Sequence, residues 1–282
     1  MTRFGPLLLL LAGCPTQSTQ ESWEDWYADP GDYDVTEPVA FTEENYDFPA
    51  DDADGIRTRA AGQLSGNTSS VIWGEGEIPD GLNCEGWTQD ADLPTEIEGV
   101  VTLLPRFYFK SSGCGRDDEK YYGSWFIQDR TGGIFVLGDS KVAHFDMGAR
   151  VRINVRSIRR NFGLNMVYAH DVLEVDPEPE PIYVEDVTGK LGDADIAKVK
   201  RVTGVVVDEP DTFGLFHIAR DGDSTCTATS LSNCIGVQLD SELNKRGVQY
   251  PVGTHLSAAG PVLYSFSAYS IIVLRVGQIE VL

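Results

Sequence analysis

The sequence predicts an all-β protein made of two copies of one small five-stranded barrel behind an acidic, disordered tether. Three observations lead there. Gly99 heads Gly-Val-Val and lies 49 residues before Gly148; Gly204 heads Gly-Val-Val and lies 49 residues before Gly253. The copies are 105 residues apart, too long a period for a solenoid repeat and right for one domain made twice. Between those marks, Gly123-Ser-Trp-Phe-Ile127 answers Gly214-Leu-Phe-His-Ile218, and Ile134-Phe-Val136 answers Ile235-Gly-Val237. Finally, Val151, Ile153 and Val155 alternate with Arg150, Arg152, Asn154 and Arg156, the period of a half-buried strand.

Residues 1–13 read as a signal peptide. Arg3 precedes the apolar run Pro6–Leu11, which ends at Leu11-Ala12-Gly13-Cys14. That run is too short to remain as a membrane-spanning helix. Leu-Ala-Gly-Cys resembles the bacterial lipoprotein signal, which implies that Cys14 takes a lipid such as palmitate and becomes the mature N-terminus. An ordinary cleavable signal with an incidental cysteine is the alternative. With the anchor, the protein is held at a membrane without crossing it. The absence of aspartate after Cys14 points to the outer membrane, with the periplasmic or surface face left open.

Residues 14–92 read as the tether. Of the net charge of −22, residues 15–98 contribute 21 acids against only Arg57 and Arg59. Pro15 to Asp54 has no Lys, no Arg and no strand or helix period, as a solvated spacer would. Asp51–Gly55 fails as a calcium loop, because Ala50 and Ala61 would fill its first and last ligand positions. Val71–Trp73 is a candidate short strand.

Module 1 occupies residues 93–176, a Pro-rich acidic linker 177–195, and module 2 residues 196–282. Pro177-Glu-Pro-Glu-Pro181 reads as a stiff extended hinge, followed by a brief helical lead-in over Val184–Ile196. Each module reads as a long first strand, a hairpin and a second hairpin. In module 1, Asn161-Phe162-Gly163 turns into Leu164–Val175; in module 2, Leu256–Leu263 is followed by Ile271–Val276 and Ile279–Leu282. This order suits a Greek-key barrel of the oligonucleotide/oligosaccharide-binding (OB) type. Copy 1 is longer after its first strand and copy 2 within its hairpin, as barrel cores with variable loops allow.

Apart from Cys14, the chain has Cys84, Cys114, Cys226 and Cys234. An even set in an exported chain favours disulfides over metal ligation. Proximity pairs Cys226 with Cys234 and Cys84 with Cys114. There is no Cys-x-x-Cys and the four histidines are scattered, so neither metal nor cofactor is expected.

Glu98-Gly-Val-Val, Ser124-Trp-Phe-Ile-Gln-Asp129, Thr131-Gly-Gly-Ile134 and Gly148-Ala-Arg-Val-Arg-Ile153 together resemble the OB-like accessory modules of secreted bacterial nucleases and surface lipoproteins. The resemblance covers about residues 95–176 and is weaker in module 2, where Ala219-Arg220 replaces Gln-Asp. It implies fold and a binding role, with the ligand open.

OB barrels bind along strands two and three and with the flanking loops. If Trp125 and Ile127 point inward, Phe126, Gln128 and Phe135 face outward as a stacking platform. Arg150, Arg152, Arg156, Arg159 and Arg160, with Phe162, add cations and an aromatic to the neighbouring hairpin, a pattern suited to phosphate- or carboxylate-bearing polymers. The competing expectation is that the basic row pairs with the chain's own acids. No nucleophile elbow, phosphate loop or His-Glu-x-x-His occurs. The expected function is therefore a non-enzymatic, lipid-anchored envelope adaptor that recognises a protein or glycan. The alternative is binding of single-stranded nucleic acid or another anionic polymer by module 1.

Overall fold

The computed structural model describes residues 35–47, 71–73, 88–89, 96–106, 124–137, 146–161, 164–176, 178–265 and 268–282. All belong to one compact unit, Tyr33–Leu282. The strands are β1 (Phe41–Thr42), β2 (Val71–Trp73), β3 (Thr88–Gln89), β4 (Glu96–Arg106), β5 (Ser124–Gln128), β6 (Gly133–Leu137), β7 (Arg150–Asn161) and β8 (Leu164–Asp176). They continue with β9 (Ile182–Tyr183), β10 (Glu185–Asp186), β11 (Val199–Val206), β12 (Leu215–Arg220) and β13 (Ile235–Leu239). Last come β14 (His255–Ser265), β15 (Ala268–Val273) and β16 (Ile279–Val281).

Among the described residues the chain is all-β apart from one short helix and brief 3-10 turns, and its strands form OB-like barrels. In one sheet β4, β5, β6, β8 and β7 pair in that order and β7 returns to β4. In the other, β11, β12, β13, β15 and β14 do the same, and β14 returns to β11. Within each ring only the third and fifth strands run parallel. This is the five-stranded Greek-key closure of an OB-like barrel. Residues equivalent in sequence also make equivalent bonds. Ile127 pairs with Ile134 and Ile218 with Ile235. Gly148 and Gly253 both adopt φ +92°. The Gly148 N–H donates to Val101 O (2.8 Å) and the Gly253 N–H to Val206 O (2.9 Å). The 49-residue spacing thus marks one turn, which needs a left-handed residue and therefore glycine.

Alternation fills each barrel. Ile97, Val101, Trp125, Ile127, Ile134, Val136, Val151 and Ile153 form the first interior, and Phe216, Ile218, Val237, Leu256, Val262, Ile271 and Val273 the second. The helix, α1 (Ser241–Lys245), lies between β13 and β14 and inserts Leu243 into the second interior. Five residues are too few to show a helical period, so the sequence reading has no helix there.

Three expectations fail. Residues 35–47 are not free spacer. Val35 is buried in the second barrel, β1 pairs in parallel with β9, and Tyr46 is buried beside the first barrel. Acidic composition hid this, because Glu37 and Glu43 are spent on Arg275 (2.6 Å) and Arg201 (2.7 Å). Nor is the linker a hinge: the Glu180 N–H donates to Gly148 O (2.9 Å), and Ile182 and Val184 are buried. In place of a helical lead-in there are the extended β10 and a single 3-10 turn at Asp193–Asp195. Pro177 lies outside the described residues.

Candidate functional site

Phe126 and Phe135 do lie on the outer face of the first barrel, as alternation requires, but that face is not at the surface. They are 1% and 0% exposed and meet edge to face, ring centres 4.9 Å apart. A third apolar cluster joins them and Val100 and Leu103 to Val199, Ala259, Leu263, Ile272 and Leu274 of the second barrel. The expected stacking platform is therefore the seam between barrels. Gln128, 2% exposed, is its polar link: the Val199 N–H donates to Gln128 Oε1 (2.6 Å), and Gln128 Nε2 donates to Tyr183 O (3.1 Å). Contact is so close at Gly133 that a Cβ would lie 2.0 Å from Ala197 O. Sequence alternation cannot reveal this, since it assigns a side chain to a face without saying what covers the face.

The arginine row is partly neutralised from within. Glu98 stands opposite Arg152 in the β4–β7 ladder and ion-pairs with both Arg150 and Arg152, the latter at 2.8 Å. Burial pushes the Glu98 carboxyl up, but the hydrogen bonds and charges of Arg152 and Arg150 outweigh it and hold it below its usual range. Arg150 and Arg152 are thus not an open cationic pair. Arg156, Arg159 and Arg160 are on the distal part of β7, and their side chains lie outside the described ones. There β2 adds a strand, with Val71 opposite Arg159 and Trp73 opposite Ser157. The acidic leader's backbone therefore covers the β7 edge. Phe162 lies outside the described residues.

In the second barrel the equivalent face is at the surface. Leu215, His217, Ala219 and Gln238 alternate outward from β12 and β13 and stay half-buried. Asp208 orients His217: its Oδ1 accepts the His217 N–H (2.6 Å), and its Oδ2 lies 2.7 Å from Nδ1. Among the described residues, no hydrogen bond joins His217 Nε2 to a hydroxyl or thiol. Phe213, 74% exposed, stands on the β11–β12 loop, held by Asp211 Oδ1 accepting the N–H groups of Phe213 (2.8 Å) and Leu215 (3.0 Å). The sequence analysis singled out neither Phe213 nor His217 as a site residue. The signal was His217 in phase with outward-facing Leu215.

Cys226 and Cys234 form a disulfide, as proximity predicted. Cys14, Cys84 and Cys114 lie outside the described residues. Among the described residues no group of three or more His, Cys, Asp or Glu is placed to hold a metal ion, and no helix is long and apolar enough to cross a membrane.

No protein-family profile matches the chain, and no curated protein matches it. Among solved structures it is similar to the tetrameric p202 HIN2, with 13% identity, TM-score 0.29, and coverage of 66% of this chain and 93% of that one. It is also similar to the Ifi202 HINa domain in complex with 20bp dsDNA, at 10% identity and TM-score 0.30, covering 66% and 94%. A Replication Protein A heterotrimer bound to ssDNA gives 11% identity and TM-score 0.28, covering 66% and 48%. The OB-like description above stands on strand order and register.

Proposed function

We propose that this is an exported, lipid-anchored envelope protein that binds without catalysing, and that it presents its two barrels as one rigid body to a protein or glycan. One observation carries the reading. The strand-two and strand-three face of the first barrel is spent on the seam, whereas that of the second barrel remains at the surface beside Phe213. The Asp208-Glu209-Pro210-Asp211 border makes that face unsuited to phosphate polymers. A photo-crosslinking residue at position 213 of the full chain, expressed in its own host, should capture a discrete partner that the same residue at the seam position Phe126 does not. Equal capture at both positions, or none at 213, refutes the reading. The anchor is tested separately: Cys14→Ser should abolish palmitate labelling and release the protein from membranes.

A second reading, nucleic-acid or anionic-polymer binding, is favoured by the long β7–β8 hairpin. Among the described residues β4 pairs with β7 from Arg150 to Asn154, which leaves Arg156, Arg159 and Arg160 on the distal part of β7. Replacing these three with glutamine should abolish single-stranded DNA binding and its steep salt dependence. Absence of DNA binding by the unaltered chain at low salt ends this reading.

A further inference from the structure

The second barrel has a polar hollow of about 200 Å³ at one end, lined by Gly189, Lys190, Arg220, Asp223, Thr225, Asn233 and Ile235. It is separate from the outer face just described. Arg220 follows Ala219 at the end of β12, and Ile235 belongs to the barrel interior. From this hollow we infer a second binding site, for an acidic sugar residue of the hexuronate class.

The disulfide builds the site. Thr225 and Asn233 are the neighbours of Cys226 and Cys234, whose Cα atoms lie 4.8 Å apart. Across that bridge Asn233 Nδ2 donates to Thr225 Oγ1 (3.0 Å), and Thr225 Oγ1 donates to Asp223 Oδ1 (2.6 Å). The chain fixes one amide and one carboxylate in place before any ligand arrives, which lowers the ordering cost of binding. Thr225 gives its one hydroxyl proton to Asp223. Asn233 Oδ1 and Asp223 Oδ2 remain as acceptors, the groups that take sugar hydroxyl protons. The same hollow carries two cations, Arg220 and Lys190. Arg220 gives one N–H to Val187 O (3.3 Å) and also attracts the Asp223 carboxylate, while the Lys190 ammonium adds a second positive charge. The lining therefore offers cations for an anion and acceptors for hydroxyl donors. A free carboxylate satisfies only the first and a neutral hexose only the second; a hexuronate satisfies both. The volume is below that of drug-sized clefts and fits a single ring.

The test is a calorimetric and ligand-observed NMR titration of the whole protein with glucuronate, glucose and acetate. Glucuronate should bind, and glucose and acetate should each bind at least tenfold more weakly, since each forgoes charge-assisted or paired hydrogen bonds. Arg220→Gln with Lys190→Gln should weaken glucuronate about tenfold or more while glucose is unchanged. Asn233→Ala should weaken glucuronate while leaving the disulfide intact, and reduction of the disulfide should do the same. Acetate binding as well as glucuronate would reduce the hollow to a general anion site and overturn the proposal, as would no glucuronate binding or binding indifferent to Arg220→Gln. None of these results bears on crosslinking at position 213.

Discussion

Gln128→Leu is the sharpest perturbation of the seam. The side chain is 2% exposed and serves two backbone groups from beyond its own barrel, the Val199 N–H at 2.6 Å and the Tyr183 carbonyl at 3.1 Å. Leucine keeps the volume and removes both partners, leaving a buried donor and a buried acceptor. Each unsatisfied group costs about 1–3 kcal/mol, so the expected loss is about 2–5 kcal/mol after a small apolar gain. Urea unfolding of the full chain, followed by tryptophan fluorescence and circular dichroism, reads this as a lower midpoint with unchanged slope. Gln128→Glu refines the test. An ionised carboxylate still accepts from Val199 but faces the Tyr183 carbonyl, whereas the protonated acid can donate to it. Its folded pKa must then rise, so this variant's stability is greatest in acid and falls as pH climbs above the ordinary carboxylate range. A Gln128→Leu protein within about 0.5 kcal/mol of the unaltered one would refute the claim that these bonds fasten the barrels.

Four further outcomes follow from the same geometry. Phe126→Ala should cost about 3–5 kcal/mol in the same unfolding assay, because the ring is seam core; a surface stacking residue would lose binding with little change in stability. Gly133→Ala must push against the Ala197 backbone oxygen, 2.0 Å from the new Cβ, and should cost about 1–3 kcal/mol or more. Glu98→Gln should remove part of the acid limb. The depressed Glu98 pKa gives stability that is present above its unfolded value and lost as pH falls through the folded one, so the variant's pH–stability curve should be flatter below about pH 4. Replacing Cys226 and Cys234 together by serine opens a small loop and should cost about 2–3 kcal/mol by loop entropy.

What the sequence shows and what it hides divide along a physical line. Barrel interiors were legible because Trp125 with Phe216 and Ile127 with Ile218 keep phase with the strand period, and because the Gly148 and Gly253 turns tolerate no other residue cheaply. Neighbouring charge was half legible: Arg150 and Arg152 stand out, but Glu98 belongs to another strand and meets them only through the β4–β7 register. The seam was illegible. Phe126 and Phe135 are placed on the outside correctly by alternation, yet whether an outer face is wet or dry depends on a second barrel about 100 residues away in the chain. Residues 35–47 were misread for a related reason, since composition registers the four acidic residues of Val35–Asp47 only as a solvated run, while Val35 reaches the second barrel's interior and Phe41 and Tyr46 pack on the seam cluster.

That last correction changes the reach of the protein if Cys14 carries the lipid. A tether running to residue 92 would allow the barrels to range far from the membrane. The Val35 carbonyl, however, accepts the Val276 N–H at 2.8 Å, and Val35 itself is buried in the second barrel. Residues 15–34 are then all the chain that separates anchor from barrel, and at most about 3.5 Å per residue they can span no more than about 70 Å. With Cys14 lipidated, Val35 lies within that distance of the anchoring leaflet. Breaking the clasp should lengthen the reach: Val35→Asp with Glu37→Arg places an unpaired charge in the barrel and reverses the Arg275 ion pair. In vesicles bearing the lipidated protein, energy transfer from a dye on the exposed Val252 turn to the bilayer surface should fall in this variant. Unchanged transfer, with the folded midpoint lowered, would show that Val35 stabilises the barrel without setting its distance from the membrane.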